Sequence, residues 1–119
     1  MTWKHFKIEE FDCPTEEGSA EKNMCKDFIS TLNAVRHSAG VPMVITSGYR
    51  TEEHNKSIKG AKKSSHLIGV AADISCTNSV DRLKIVEAAL KHKVRRIGIA
   101  DTFIHLDVDR DKPACIWLY

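Results

Sequence analysis

The chain has 119 residues, 42% hydrophobic and 29% charged, with a formal net charge of +2. Such a composition suits one globular domain with a real core and excludes a disordered chain. The small charge gives no argument for a polyanion partner, and no apolar run approaches the ~20 residues that span a bilayer, so no integral membrane segment is expected.

The start, MTWKHFKIEEF, alternates charged and apolar residues and does not read as a signal peptide. The protein is therefore expected to be made in the cytoplasm, and any role outside it needs another means of release. FKIEEF, residues 6–11, reads as a short strand or extended arm, and residues 12–19, with Pro14 and Gly18, as loop. Over residues 20–39, Met24, Phe28, Ile29, Leu32, Val35 and Ala39 recur at spacings of three and four, which predicts a helix stopped by Gly40. VPMVIT, residues 41–46, is dense in β-branched side chains and predicts a buried strand.

TEEHNKSI, 51–58, predicts a short helix capped by Thr51; GAKKSSH, 60–66, is loop; VAADIS, 70–75, is a second strand. Residues 79–92 predict a helix with Leu83, Val86, Ala89 and Leu90 on its apolar side and Ser79 as its cap. RIGIA, 96–100, is a third strand, FIHLDVD, 103–109, alternates with period two, and the tail DKPACIWLY returns to apolar residues. There is no internal repeat or linker, so residues 1–119 are read as a single α+β domain with helices against a small antiparallel sheet. Cys13, Cys25, Cys76 and Cys115 form no CxxC pair and are expected to be free buried thiols.

Two stretches carry chemistry. SSHLIGVAADI, 64–74, sets His66 and Asp73 among the small residues Gly69, Ala71 and Ala72. In FIHLDVD a strand puts Phe103, His105, Asp107 and Asp109 on one face and Ile104, Leu106 and Val108 on the core face. Polar residues on a strand otherwise suited to burial point to a site, because unpaired buried charge is costly; a solvent-facing strand face is the plainer alternative. His66, Asp73 and His105 would supply two imidazole nitrogens and one carboxylate oxygen, a sensible set for catalytic zinc, which keeps one position open for water. Their spacing is not the helical HExxH pattern.

SGYRTEEHN, then SSHLIGVAADI, then FIHLDVD, resemble the zinc peptidases that include bacterial D-alanyl-D-alanine carboxypeptidases, D-Ala-D-Ala dipeptidases and phage cell-wall endolysins, the LAS group of metallopeptidase family 15. The pattern S-x-H-x-x-G-x-A-x-D is met by Ser64, His66, Gly69, Ala71 and Asp73, and the similarity covers most of the chain. The resemblance implies the hedgehog/D-Ala-D-Ala peptidase fold, with His66, Asp73 and His105 as zinc ligands. It implies hydrolysis of peptide bonds in peptidoglycan stem peptides or cross-links, as a carboxypeptidase or an endopeptidase, by metal-activated water. A carboxylate would take the water's proton, and a cation would hold the oxyanion.

Arg50 is the candidate cation and would also bind substrate, its ordinary alternative being a surface ion pair. Ser64 would donate to bound peptide or cap its own loop, and Tyr49 could line the cleft beside Arg50. His54 and Asn55 would hold the Arg50 loop. Trp117 either closes the pocket rim or packs. The expected partners are a peptidoglycan peptide as substrate and a holin-like release partner if the chain is a phage or prophage lysis protein acting on the cell wall as a monomer. A nucleic-acid partner, suggested only by AKK at 61–63 and KHKVRR at 91–96, is not expected.

The chain departs from the family where the base should be. Many members place Glu or Asp three residues before the last histidine ligand, and here that residue is Thr102. Asp107, on the same strand face as His105, is the first substitute and Asp101 the second, if a bulge or turn brings it in. Asp107 could instead orient His105. The missing acid also supports an alternative, a non-catalytic binding or structural module that keeps the fold and the metal.

Overall fold

A computed structural model describes residues 2–119. The first buried apolar residues, Phe6 and Phe11, meet edge to face at 5.4 Å. On a strand, their odd separation would send them to opposite faces. The chain instead makes a 3-10 turn, Ile8–Phe11, in which the Glu10 carboxylate accepts the Lys7 N–H at 2.7 Å. The strand or arm expected over residues 6–11 is thus corrected.

The helix expected over 20–39 is two, α1 (Ser19–Asn23) and α2 (Lys26–Ala39). Met24 and Cys25 between them are extended, and the Cys25 N–H donates to the Gly69 carbonyl at 2.9 Å. A tertiary hydrogen bond has taken a donor that a continuous helix would have used. The predicted stripe survives in α2, where Phe28, Ile29, Leu32, Val35 and Ala39 are buried, and Gly40, at φ 68°, ends it.

Strand β1 is only Ile45–Ser47. Met43 is buried but Val44 is 61% exposed, so 41–46 is not a buried strand; β1 lies at the edge of the sheet, and one of its sides has no neighbour. Helix α3 (Glu52–Ser57) starts as expected, with the Thr51 hydroxyl accepting the His54 N–H. Strand β2 is Ala71–Ser75, and helix α4 is Ser79–Lys91. The α4 cap is Asn78, whose side chain accepts the Asp81 N–H at 2.9 Å, rather than Ser79. Its buried residues are Ile85, Ala88 and Ala89, whereas Leu83 and Leu90 are 65% and 49% exposed. Apolar residues lie on several sides of this helix, so periodicity could not select the face that meets α2.

Strands β3 (Arg96–Ile99), β4 (Phe103–Asp107) and β5 (Cys115–Leu118) complete a sheet of order β1-β2-β4-β3-β5. The first four strands pair antiparallel, but β5 runs parallel to β3, so the sheet is mixed rather than wholly antiparallel. Ala72, Ile74, Ile97, Ile104 and Leu106 are fully buried in one core cluster with the apolar residues of α2 and α4. The fold is therefore α+β, with helices covering one sheet face. On the other face the register sets a single row across five strands: Ser47 beside Asp73, Asp73 beside His105, His105 beside Gly98, and Gly98 beside Trp117.

All four cysteines are free, but Cys115 is exposed and Cys25 half-buried, so burial holds only for Cys13 and Cys76. Among the described residues no helix is long and apolar enough to cross a membrane.

Candidate metal centre

His66 lies in a 3-10 turn, Ser65–Ile68, at the end of the 60–66 loop. The Ser64 hydroxyl accepts the His66 N–H at 3.2 Å, and Gly69, at φ 72°, turns the chain into β2. The turn is pinned from both sides, since Arg50 N–H donates to the His66 carbonyl at 3.1 Å and Cys25 N–H to that of Gly69. Asp73 and His105 are direct neighbours across β2 and β4. One ligand atom from each of His66, Asp73 and His105 lies within 4.8 Å of the others, and all three residues are buried.

Each candidate ligand has its inner atom at the cluster and its outer atom engaged elsewhere. His66 Nδ1 donates to the Gly48 carbonyl at 2.7 Å, which leaves Nε2 facing Asp73 Oδ1 at 3.3 Å. His105 Nδ1 is 2.9 Å from the same Oδ1, while its Nε2 is 2.7 Å from Asp107 Oδ2. Asp73 Oδ2 accepts from Arg50 Nη2 at 3.3 Å. Ligands whose far atoms are held by carbonyl, carboxylate or guanidinium are what a preorganised metal site requires. The donor set suits zinc with one position left open.

The electrostatics favour a cation at this point. Burial alone would raise the Asp73 carboxyl, but the His105 and His66 imidazoles beside it hold it well below the usual carboxylate range. Burial alone would lower His105, yet Asp107 and Asp73 outweigh it and raise its pKa. Asp107 is lowered despite its burial by His105, the Asp109 N–H and Arg96. Two buried carboxylates thus stabilise positive charge on or beside His105, and a metal ion can replace the proton there.

The cluster opens into a cleft of about 420 Å³. Arg50, Lys59, Arg96 and Lys112 line it with positive charge, and Phe103, Trp117 and Tyr119 form an aromatic wall. Arg50 is anchored by Ser47 Oγ at 3.0 Å and by Asn55 Oδ1 at 3.2 Å as well as by Asp73. Asn55, itself bonded to the Ala61 carbonyl at 2.8 Å, does hold the Arg50 loop, while His54 contributes only its backbone to the α3 cap.

Ser64 lines the cleft and caps the His66 turn. Tyr49 does not line it: its side chain packs against the core cluster and its N–H donates to the Phe11 carbonyl at 2.8 Å. Asp101 lies exposed outside the cleft, and its carbonyl accepts from Arg82. Asp107 is 1% exposed, with Oδ1 accepting from Arg96 Nε at 2.8 Å and from the Asp109 N–H at 3.0 Å.

Sequence reasoning missed Arg96, Lys59, Lys112, Phe103 and Tyr119 as parts of the cleft, and left Trp117 between two roles. The ring of Trp117 lies 5.3 Å from that of His105, and Tyr119 lies 5.0 Å from Phe103. The available signal was the period-two pair of Trp117 and Tyr119 in the tail, together with Gly98. A Cβ on Gly98 would lie 2.7 Å from Trp117 Cε2 and 2.8 Å from Tyr119 Cε2. The missing side chain is what lets both rings settle over β3, with Trp117 beside His105 and Tyr119 beside Phe103. Gly98→Val is expected to push the wall into the cleft and lower kcat/KM about 10- to 100-fold. Metal content at saturating metal should stay at the wild-type level. Steady-state kinetics alongside elemental analysis checks both, and an unchanged kcat/KM would show that the wall does not touch substrate.

The sequence pattern of the family described as Peptidase M15 matches residues 4–107. Among curated proteins, none matches the chain.

Proposed function

Since the chain belongs to the peptidase M15 family, a family of metallopeptidases, we propose that its metal is zinc and that its substrates are the stem peptides or cross-links of peptidoglycan. The observation that carries the reading is the approach of His66 Nε2 and His105 Nδ1 to Asp73 Oδ1, at 3.3 and 2.9 Å, with the outer atom of each residue held. Bound there, zinc would supply a Lewis acid that activates water and polarises the scissile carbonyl.

The chain's own groups orient the ligands and supply fixed charge. The Gly48 carbonyl fixes the tautomer of His66, and Asp107 fixes that of His105. Arg50 keeps Asp73 turned toward the histidines and puts a permanent charge on the wall of the cleft, where it would stabilise a developing oxyanion. Lys59 at the rim and the aromatic wall suit a peptide bearing a free carboxylate, as peptidoglycan stems do, while the Lys112 ammonium is held by Asp109 at 3.4 Å.

Asp107 is assigned here to positioning rather than to proton transfer. Both of its oxygens are already occupied, one by His105 and the other by Arg96 and the Asp109 N–H. Asp101 takes no part, because it lies outside the cleft. Asp107→Asn should therefore weaken zinc binding about 10- to 100-fold, with activity recovered by excess zinc. If the variant is inactive with its zinc site full, Asp107 is the proton acceptor instead.

The direct test is digestion of purified peptidoglycan followed by mass analysis of the soluble products, with and without a chelator. Release of free D-alanine marks a carboxypeptidase, and split cross-links or stems mark an endopeptidase. Activity should vanish with the chelator and return with zinc. Protein that holds one zinc per chain yet releases nothing would overturn the substrate assignment and favour the non-catalytic module.

A further inference from the structure

Arg96, the first residue of β3, makes contacts in three directions. Its Nε donates to Asp107 Oδ1 at 2.8 Å, and its Nη1 donates to the Pro113 carbonyl at 2.6 Å. The guanidinium carbon lies over Trp117, 4.8 Å from the ring centroid. The register makes this possible, because Arg96 pairs with Asp107 on β4 and with Cys115 on β5. Asp107 and Trp117 then converge on one group: the carboxylate holds Nε2 of His105, and the indole lies 5.3 Å from its ring.

We infer that Arg96 is a positioning residue of the metal centre, which clamps the His105 ring by holding Asp107 on its outer nitrogen and Trp117 beside it. The inference rests on the reading of His66, Asp73 and His105 as metal ligands. Without Arg96, Asp107 Oδ1 keeps only the Asp109 N–H, and the carboxylate is freer to rotate away from His105. The Trp117 ring would also lose the cation on its face. An ammonium cannot fully replace the guanidinium. A planar fork can donate along its edge while stacking through its face, whereas a lysine offers a point charge on a flexible stem. One side chain therefore connects the wall of the cleft to the geometry of the metal ligand.

The test compares wild type, Arg96→Met, Arg96→Lys, Asp107→Asn and the double variant Arg96→Met/Asp107→Asn. Metal-free protein is titrated with zinc against a chromophoric chelator, and the cobalt-substituted forms are compared by their visible spectra. Circular dichroism confirms that each variant is folded, and Arg96→Lys keeps the comparison open if Arg96→Met is not. Arg96→Met is expected to weaken zinc binding about tenfold and to shift the cobalt bands in the same sense as Asp107→Asn. Arg96→Lys should recover part of that loss. The double variant should bind zinc within about twofold of Asp107→Asn alone, because both changes act through His105. Wild-type affinity and spectrum in folded Arg96→Met and Arg96→Lys, or fully additive losses in the double variant, would overturn the inference. Wild-type protein that binds no zinc would instead overturn the metal reading beneath it.

Discussion

His66→Ala is expected to lose its zinc and to fall below about 1% of wild-type hydrolysis. His66 is 3% exposed and supplies one of the three donor atoms at the cluster. Two remaining ligands do not make a catalytic zinc site, which uses three protein ligands and an open position. The variant also orphans the Gly48 carbonyl that Nδ1 satisfies at 2.7 Å. That adds roughly 1–3 kcal/mol of destabilisation to the metal-free chain. Thermal melting separates the two effects. Zinc at about 1,000 times its Kd should stabilise wild type by about 4 kcal/mol, because it binds only the folded state. The melting temperature of His66→Ala should be lower and should not respond to zinc. Elemental analysis showing one zinc per chain in the variant would remove His66 from the ligand set.

Gly69→Ala is expected to cost about 3 kcal/mol or more, an unusually large penalty for adding one methyl group. Two terms add. Gly69 sits at φ 72°, where a side chain costs about 1 kcal/mol. A Cβ there would also lie 1.9 Å from the Asn23 carbonyl oxygen and 2.9 Å from Met24 Cα, both backbone atoms that cannot rotate away. Overpacking of that kind costs about 1–3 kcal/mol or more. Gly40 is the control, since it has φ 68° and nothing within 4 Å of an added Cβ. Gly40→Ala should therefore show only the conformational term. Urea unfolding of the two variants measures the difference, and equal losses would show that close contact with α1 is not what position 69 requires. Zinc affinity should fall in Gly69→Ala as well, because the residue ends the turn that carries His66 and starts the approach to Asp73.

The motif S-x-H-x-x-G-x-A-x-D was legible because most of its physics is local. Ser64 caps the turn that bears His66, Gly69 reverses the chain, and Ala71 and Ala72, both fully buried, open β2. The cap of α3 at Thr51 and the stop of α2 at Gly40 were legible for the same reason: a hydrogen bond to a near neighbour and a left-handed φ depend on a few adjacent residues. Period-two alternation in 103–109 likewise separated Ile104 and Leu106, in the core, from His105, at the cluster, and Asp107, bonded to its outer nitrogen. The chemistry of the candidate ligand set, two imidazoles and a carboxylate, is carried by residue type alone.

What lay beyond the sequence depends on partners distant along the chain. The break between α1 and α2 exists because Cys25 donates to Gly69, and nothing near Cys25 announces that acceptor. The exposed face of α4 was misread because only the position of α2 decides which of its apolar residues are covered. The role of Asp107 turned on which nitrogen of His105 faces Asp73, a matter of ring orientation that strand period does not address. Arg96, Trp117 and Tyr119 joined the site only through the parallel pairing of β5 with β3, across the space that Gly98 leaves free. Residue type and local spacing determined which groups this protein holds and the turns that present them. The tertiary structure alone decided which atoms of those groups meet, because strand register and ring orientation are set by contacts between segments that no short stretch of sequence contains.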